Sequence, residues 1–168
     1  MIEICILYCL IKREMTIYSV RKFISELFGA YTKPSHGAIH PALKKLETLG
    51  CVSVQESLSE GGKKSSYYSI TEKGRKHFVE IMLSDFSENP AVSLNEINIR
   101  IAAMGALSSD NRILLKDKCI KFTELYTVQN ERILKDEYSG LDKFQKAIIA
   151  ETIKNIKSLI NFLIKNEL

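Results

Sequence analysis

The side chains best able to do chemistry lie in one short stretch, Ser35-His36-Gly37-Ala38-Ile39-His40-Pro41-Ala42-Leu43-Lys44-Lys45. His36 and His40 stand at i, i+4, a spacing that can hold a metal on a helix. No Glu follows His36 and no third ligand is near, and two ligands do not make a zinc site. The remaining histidine, His77, has no orienting carboxylate that the sequence identifies. No Gly-x-Ser-x-Gly elbow occurs. Gly61-Gly62-Lys63-Lys64 lacks the phosphate-loop spacing and the helix that should follow it. Neither catalysis nor a cofactor is therefore expected. The chemistry left is recognition: imidazole and ammonium donors can meet base edges and phosphates.

At ~100° per residue, Ile39, Ala42, Leu43, Leu46 and Leu49 gather on one side of a helix spanning 35–49. Gly37, His40, Pro41, Lys44, Lys45 and Thr48 fall on the other. Glycine and proline weaken a helix, by about 1 and about 3 kcal/mol in its interior. Both face outward here, which suits a helix lying in a DNA groove. Gly37 and Ala38 keep bulk away from the approach, and the Pro41 ring can touch a thymine methyl. Free first-turn N–H groups can donate to phosphate. Ser35 is the expected N-cap, His36 a rim contact, and His40 and Lys44 the base-edge candidates.

The surrounding pattern places this helix third in a series. Helices are expected over 3–13 and 17–29, the second capped by Thr16 and closed by Gly29. Two alternating segments, 51–55 and 66–70, flank a Gly-Gly turn and form a hairpin. Its wing, 57–66, carries Lys63, Lys64 and Ser65 as phosphate contacts. Tyr67 and Tyr68 should face opposite sides of the hairpin. Thr71 caps a helix over 72–86, and Asn89-Pro90 marks a break. The expected division is a DNA-binding domain of 1–88 and a helical domain of 89–168, with helices over 94–106, 110–137 and 142–166. Leu115, Cys119, Phe122, Tyr126 and Ile133 line the long helix, and Phe122 and Tyr126 could instead line a small-molecule pocket. Ile149, Ile153, Ile156, Ile160 and Leu163 repeat at steps of four and three, an a/d seam suited to self-association with Phe122.

Bulk properties agree. The chain is 45% hydrophobic and 26% charged, with three Pro and eight Gly, which favours a mainly α globular protein. No apolar run reaches the ~18 residues a membrane span needs, and MIEICILYCLI reads as a buried first helix rather than a signal peptide, so a cytoplasmic protein is expected. Cys5, Cys9, Cys51 and Cys119 form no Cys-x-x-Cys pair and read as buried small hydrophobes. Net charge is +4, and residues 33–76 alone hold eight Lys/Arg against four Glu, again +4. The whole excess sits beside the candidate helix, a modest footprint for a polyanion.

Three motifs then resemble the PadR family of bacterial transcriptional regulators: Met15-Thr16-Ile17-Tyr18, the stretch Ser35 to Glu47, and Tyr68-Ser69-Ile70-Thr71-Glu72-Lys73-Gly74, in that order and spacing. The resemblance implies a winged helix-turn-helix followed by a helical dimerisation domain. It implies a homodimer that binds two halves of a near-palindromic operator, with Tyr18 touching the DNA backbone. Relatives of this length often repress genes and release DNA on binding a small molecule. The reading from another class is a winged-helix protein-interaction module with no direct DNA binding.

Overall fold

The computed structural model describes residues 1–58 and 64–165. Its elements are α1 (Ile2–Lys12), β1 (Met15–Thr16), α2 (Ile17–Leu27), α3 (His36–Thr48), β2 (Val52–Leu58), β3 (Lys64–Ile70), α4 (Glu72–Leu83), α5 (Pro90–Ala103), a 3-10 turn (Met104–Ala106), α6 (Ser109–Lys135) and α7 (Lys143–Lys165). They form two compact units, Met1–Asn111 and Arg112–Leu168. This is a mainly α protein with a small antiparallel sheet, a winged helix followed by a helical hairpin.

In the first unit α1 is the hub. It is apolar nearly all round, as a helix packed on several sides must be. Ile4, Cys5, Ile6, Leu7, Cys9 and Leu10 are buried among α2, α3, α4, α5 and β3. Thr16 caps α2 as expected, its Oγ1 accepting from the Ser19 amide at 3.3 Å. The end of α2 differs from expectation. Gly29 is not left-handed, and the C-cap residue is Phe28, fully buried and edge-on to Tyr8 at 5.5 Å. Gly29 is required for space instead, since a Cβ there would lie 2.3 Å from the Ser25 carbonyl oxygen.

The α3 segment is closed by a left-handed glycine. Gly50 takes φ +70°. Its N–H donates to the Glu47 carbonyl, and the Cys51 N–H to the Leu46 carbonyl, both at 2.8 Å. This paired closure satisfies the last carbonyls of α3 and turns the chain straight into β2. Leu49, expected on the apolar side, is exposed because it sits in the closing turn.

The sheet order is β1-β3-β2. The strands of the hairpin are longer than their alternation suggests, with Val54 opposite Tyr68 and Gln55 opposite Tyr67. β1 has no counterpart in the sequence pattern. Met15 and Thr16 pair with Tyr68 and Tyr67, so the α1–α2 connection becomes a sheet edge. Thr71 then fastens α4: its Oγ1 accepts from the Gly74 amide at 3.0 Å and donates to the Gly50 carbonyl at 2.7 Å.

The expected division at 88/89 falls between α4 and α5, within the first unit. Pro90 opens α5 rather than ending a domain. The buried Arg100 of α5 holds the two helices together. Its guanidinium donates to the Ser84 carbonyl at 2.6 Å and the Met82 carbonyl at 3.3 Å. It also lies 4.6 Å from the Phe86 ring. A cation on the last carbonyls of α4 meets the negative end of that helix.

In the second unit α6 and α7 form a hairpin, tied by Lys157 Nζ to Glu131 Oε1 at 2.7 Å. Gly140, at φ +66°, lies in the connection. Asp142 Oδ1 accepts from the Phe144 and Gln145 amides at 2.7 and 2.8 Å, while Gln145 Oε1 accepts from the Asp142 amide at 2.9 Å. This reciprocal cap starts α7 firmly. The buried line of α6 is Leu115, Cys119, Thr123 and Thr127. Ile133, expected on that line, is exposed.

Candidate nucleic-acid interface

The interface is built by one helix turning its two sides to different media. Ile39, Ala42, Leu43 and Leu46 are buried, and the helix packs on α1, α2 and β2. Each fully buried aliphatic side chain contributes about 1.5–3 kcal/mol, enough together to offset the helix-weakening effect of Gly37 and Pro41. On the other side Gly37, Ala38, His40, Pro41, Lys44 and Thr48 are exposed. Gly37 has no internal reason to be glycine. Its φ is not positive, and an added Cβ would meet only the Ser35 hydroxyl, at 3.8 Å.

The residues expected at the rim fall into place unevenly. Ser35 occupies the N-cap position with extended backbone, but its hydroxyl makes no capping bond. The side chain of His36 and the wing tip, including Lys63, lie outside the described residues. Lys64 is exposed where β3 begins, and Ser65, opposite Ser57, is half-buried. Tyr67 is exposed and Tyr68 half-buried, as alternation requires. Burial, with Glu47 nearby, raises the Tyr68 phenol pKa.

Lys45 is turned away from its neighbour. Its ammonium donates to Glu3 Oε1 at 2.6 Å, and His77 Nε2 stands 3.6 Å from Glu3 Oε2. Burial pushes the Glu3 carboxyl up, but the hydrogen bond and charge of Lys45, and then those of His77, hold it below its ordinary value. His77 Nδ1 also faces Glu80 at 3.5 Å, an orienting carboxylate that the sequence did not identify.

Tyr18 is well exposed, at 62%, so it is not a core aromatic. The Arg21 guanidinium lies 5.9 Å from its ring. The two line a groove with Lys22, Ser25, Glu26, Lys33 and Pro34, in which Lys22 faces Glu26 at 3.9 Å. Arg21 and Lys22 escaped the sequence reading. The signal was present, since they stand three and four residues after Tyr18 and so share its side of α2.

The expected self-association seam on α7 is mostly closed within the single chain. Ile153, Ile156 and Leu163 are buried, and Ile149 and Ile160 are half-buried, as is Phe122 on α6. The large apolar side chains left exposed on the hairpin include Leu125, Val128, Phe144, Ile148 and Phe162. No helix among the described residues is long and apolar enough to cross a membrane.

A three-helix core, a two-stranded wing and an outward-facing third helix define a winged helix-turn-helix protein. The model of the transcriptional regulator PadR-like family matches residues 6–80, and the chain belongs to that family. A PadR family transcription regulator from Clostridium difficile R20291 is 30% identical, with 48% of this chain and 80% of that one covered and a TM-score of 0.40. The protein TA0346 of Thermoplasma acidophilum is 32% identical over 47% of this chain and 74% of that one, at a TM-score of 0.43. Bacillus subtilis PadR, seen in complex with operator DNA, is 16% identical over 96% and 94% of the two chains, at a TM-score of 0.49. No curated protein matches significantly.

Proposed function

We propose that the protein is a sequence-specific DNA-binding transcriptional regulator, a repressor that holds a near-palindromic operator as a homodimer and leaves it when a small molecule binds. The observation that carries this reading is the exposed side of α3. Gly37, His40, Pro41, Lys44 and Thr48 form a strip with little bulk near its start and donors further along. Glycine at 37 serves no need inside the chain, which supports an outside surface approaching closely. In this reading α3 enters the major groove, the wing 57–66 reaches a flanking backbone, and Tyr18 and Ser35 meet phosphates. Self-association brings two such helices onto one operator. The apolar side chains left exposed on α6 and α7 are what that contact would cover, in place of the seam closed within one chain.

The test has two steps. Duplex fragments retained from a genomic pool should share a short repeated sequence. On one such fragment, Lys44→Ala and Lys64→Ala should each weaken binding and flatten the dependence of log K on log salt by about 0.9. Fluorescence anisotropy across a salt series measures both. Unchanged affinity and slope in both variants would mean that neither α3 nor the wing touches DNA.

A further inference from the structure

Two lysines stand side by side on α3, and the fold treats them differently. Among the described residues no carboxylate pairs with Lys44, which lies on the outward strip. Lys45 donates to Glu3 at 2.6 Å across a separation of 42 residues. Glu3 belongs to the first turn of α1, the helix that packs on α2, α3, α4 and α5. Its second oxygen faces His77 of α4 at 3.6 Å, and His77 faces Glu80 at 3.5 Å on its other nitrogen. Glu3 is thus an anchored anion.

Resting on the DNA-binding reading, we infer that Glu3 is a positioning residue for the DNA-facing charge: it withholds Lys45 from phosphate and leaves Lys44 as the untethered lysine of the α3 strip. The flexible Lys45 stem lies at the edge of that strip, where its ammonium can meet Glu3 or a phosphate but not both at hydrogen-bonding distance. Non-specific binding consists of phosphate contacts, whereas operator binding adds base contacts. Removing one cation from phosphate contact therefore lowers the sequence-independent part of the affinity and flattens its salt dependence.

The experiment compares wild type, Glu3→Gln, Lys45→Met and the double variant on a mixed-sequence duplex across a salt series. Glu3→Gln keeps the side-chain shape, and thermal melting confirms that each variant folds. Freeing Lys45 should bind the duplex more tightly at low salt and steepen the slope of log K against log salt by about 0.9 per chain. That adds roughly threefold, per chain, to the affinity lost between about 50 and 200 mM salt. Lys45→Met alone should leave the wild-type slope in place, and the double variant should return to it. The inference is overturned if Glu3→Gln keeps the wild-type slope, or if the steepening survives in the Lys45→Met background, where no ammonium remains to be released. It is also overturned if Lys45→Met alone flattens the slope, since Lys45 would then already be on phosphate. A wild-type protein that binds no duplex at any salt fails the DNA-binding reading itself, a result distinct from each of these.

Discussion

At the scale of single residues, Glu3 links stability to pH as well as to charge placement. Its carboxyl is held below its ordinary value of 4.5 by Lys45 and His77 against the opposing effect of burial. A carboxylate with a depressed folded value stabilises the protein above the unfolded value and loses that contribution as pH falls through the folded one. Thermal melts of wild type and Glu3→Gln should therefore stay apart above about pH 5, with wild type the more stable, and draw together as pH falls below the ordinary value of 4.5. Equal separation at every pH would mean that the carboxylate is not what Lys45 and His77 stabilise. None of this was legible along the chain, because the partners come from three helices far apart in sequence. The exposed side of α3 was legible, because a single helix wheel carries it.

At the scale of elements, α4 is seated against the junction of α3 and β2 through one close approach. Gly74, in the first turn of α4, lies against the strand entry. A Cβ there would come within 2.0 Å of the Cys51 carbonyl oxygen and 2.8 Å of Ile70. Gly74→Ala should cost about 1–3 kcal/mol or more, read as a fall in melting temperature with loss of the Thr71 cap. An unchanged melting temperature would show that the strand can shift at little cost. Elements with strong local signals were readable in advance: α3 by its apolar spacing, α4 by Thr71, α7 by its isoleucines. β1 was not, since two residues have no periodicity and only Tyr67 and Tyr68 make them a strand. The buried line of α6 escapes the pattern for another reason. Thr123 and Thr127 are polar in sequence, yet their hydroxyls donate to carbonyls one turn back at 2.7 and 2.8 Å. Once satisfied, they sit buried at little cost.

At the scale of the whole molecule, the second unit separates two uses of apolar surface. Ile156 is buried within one chain, so Ile156→Asp should unfold the hairpin rather than merely dissociate a dimer, since an unpaired charge there has no compensation. Circular dichroism should show lost helix. Phe144, 73% exposed, behaves oppositely. Phe144→Ser should leave the helix content intact and lower the mass seen by sedimentation. A folded Ile156→Asp variant that sediments as half the wild-type mass would restore the isoleucine seam as the contact between copies.

The four cysteines give this protein built-in reporters. Cys5, Cys9 and Cys51 are sealed in the first unit and Cys119 in the second, and burial pushes the Cys5 and Cys9 thiols up to about 12. Since thiolate is the nucleophile, an alkylating reagent at neutral pH should leave the native chain untouched. Label at Cys119 ahead of Cys5 and Cys9, mapped by mass spectrometry, would date the opening of the tail before that of the winged helix, and simultaneous labelling would mark the two as one cooperative body.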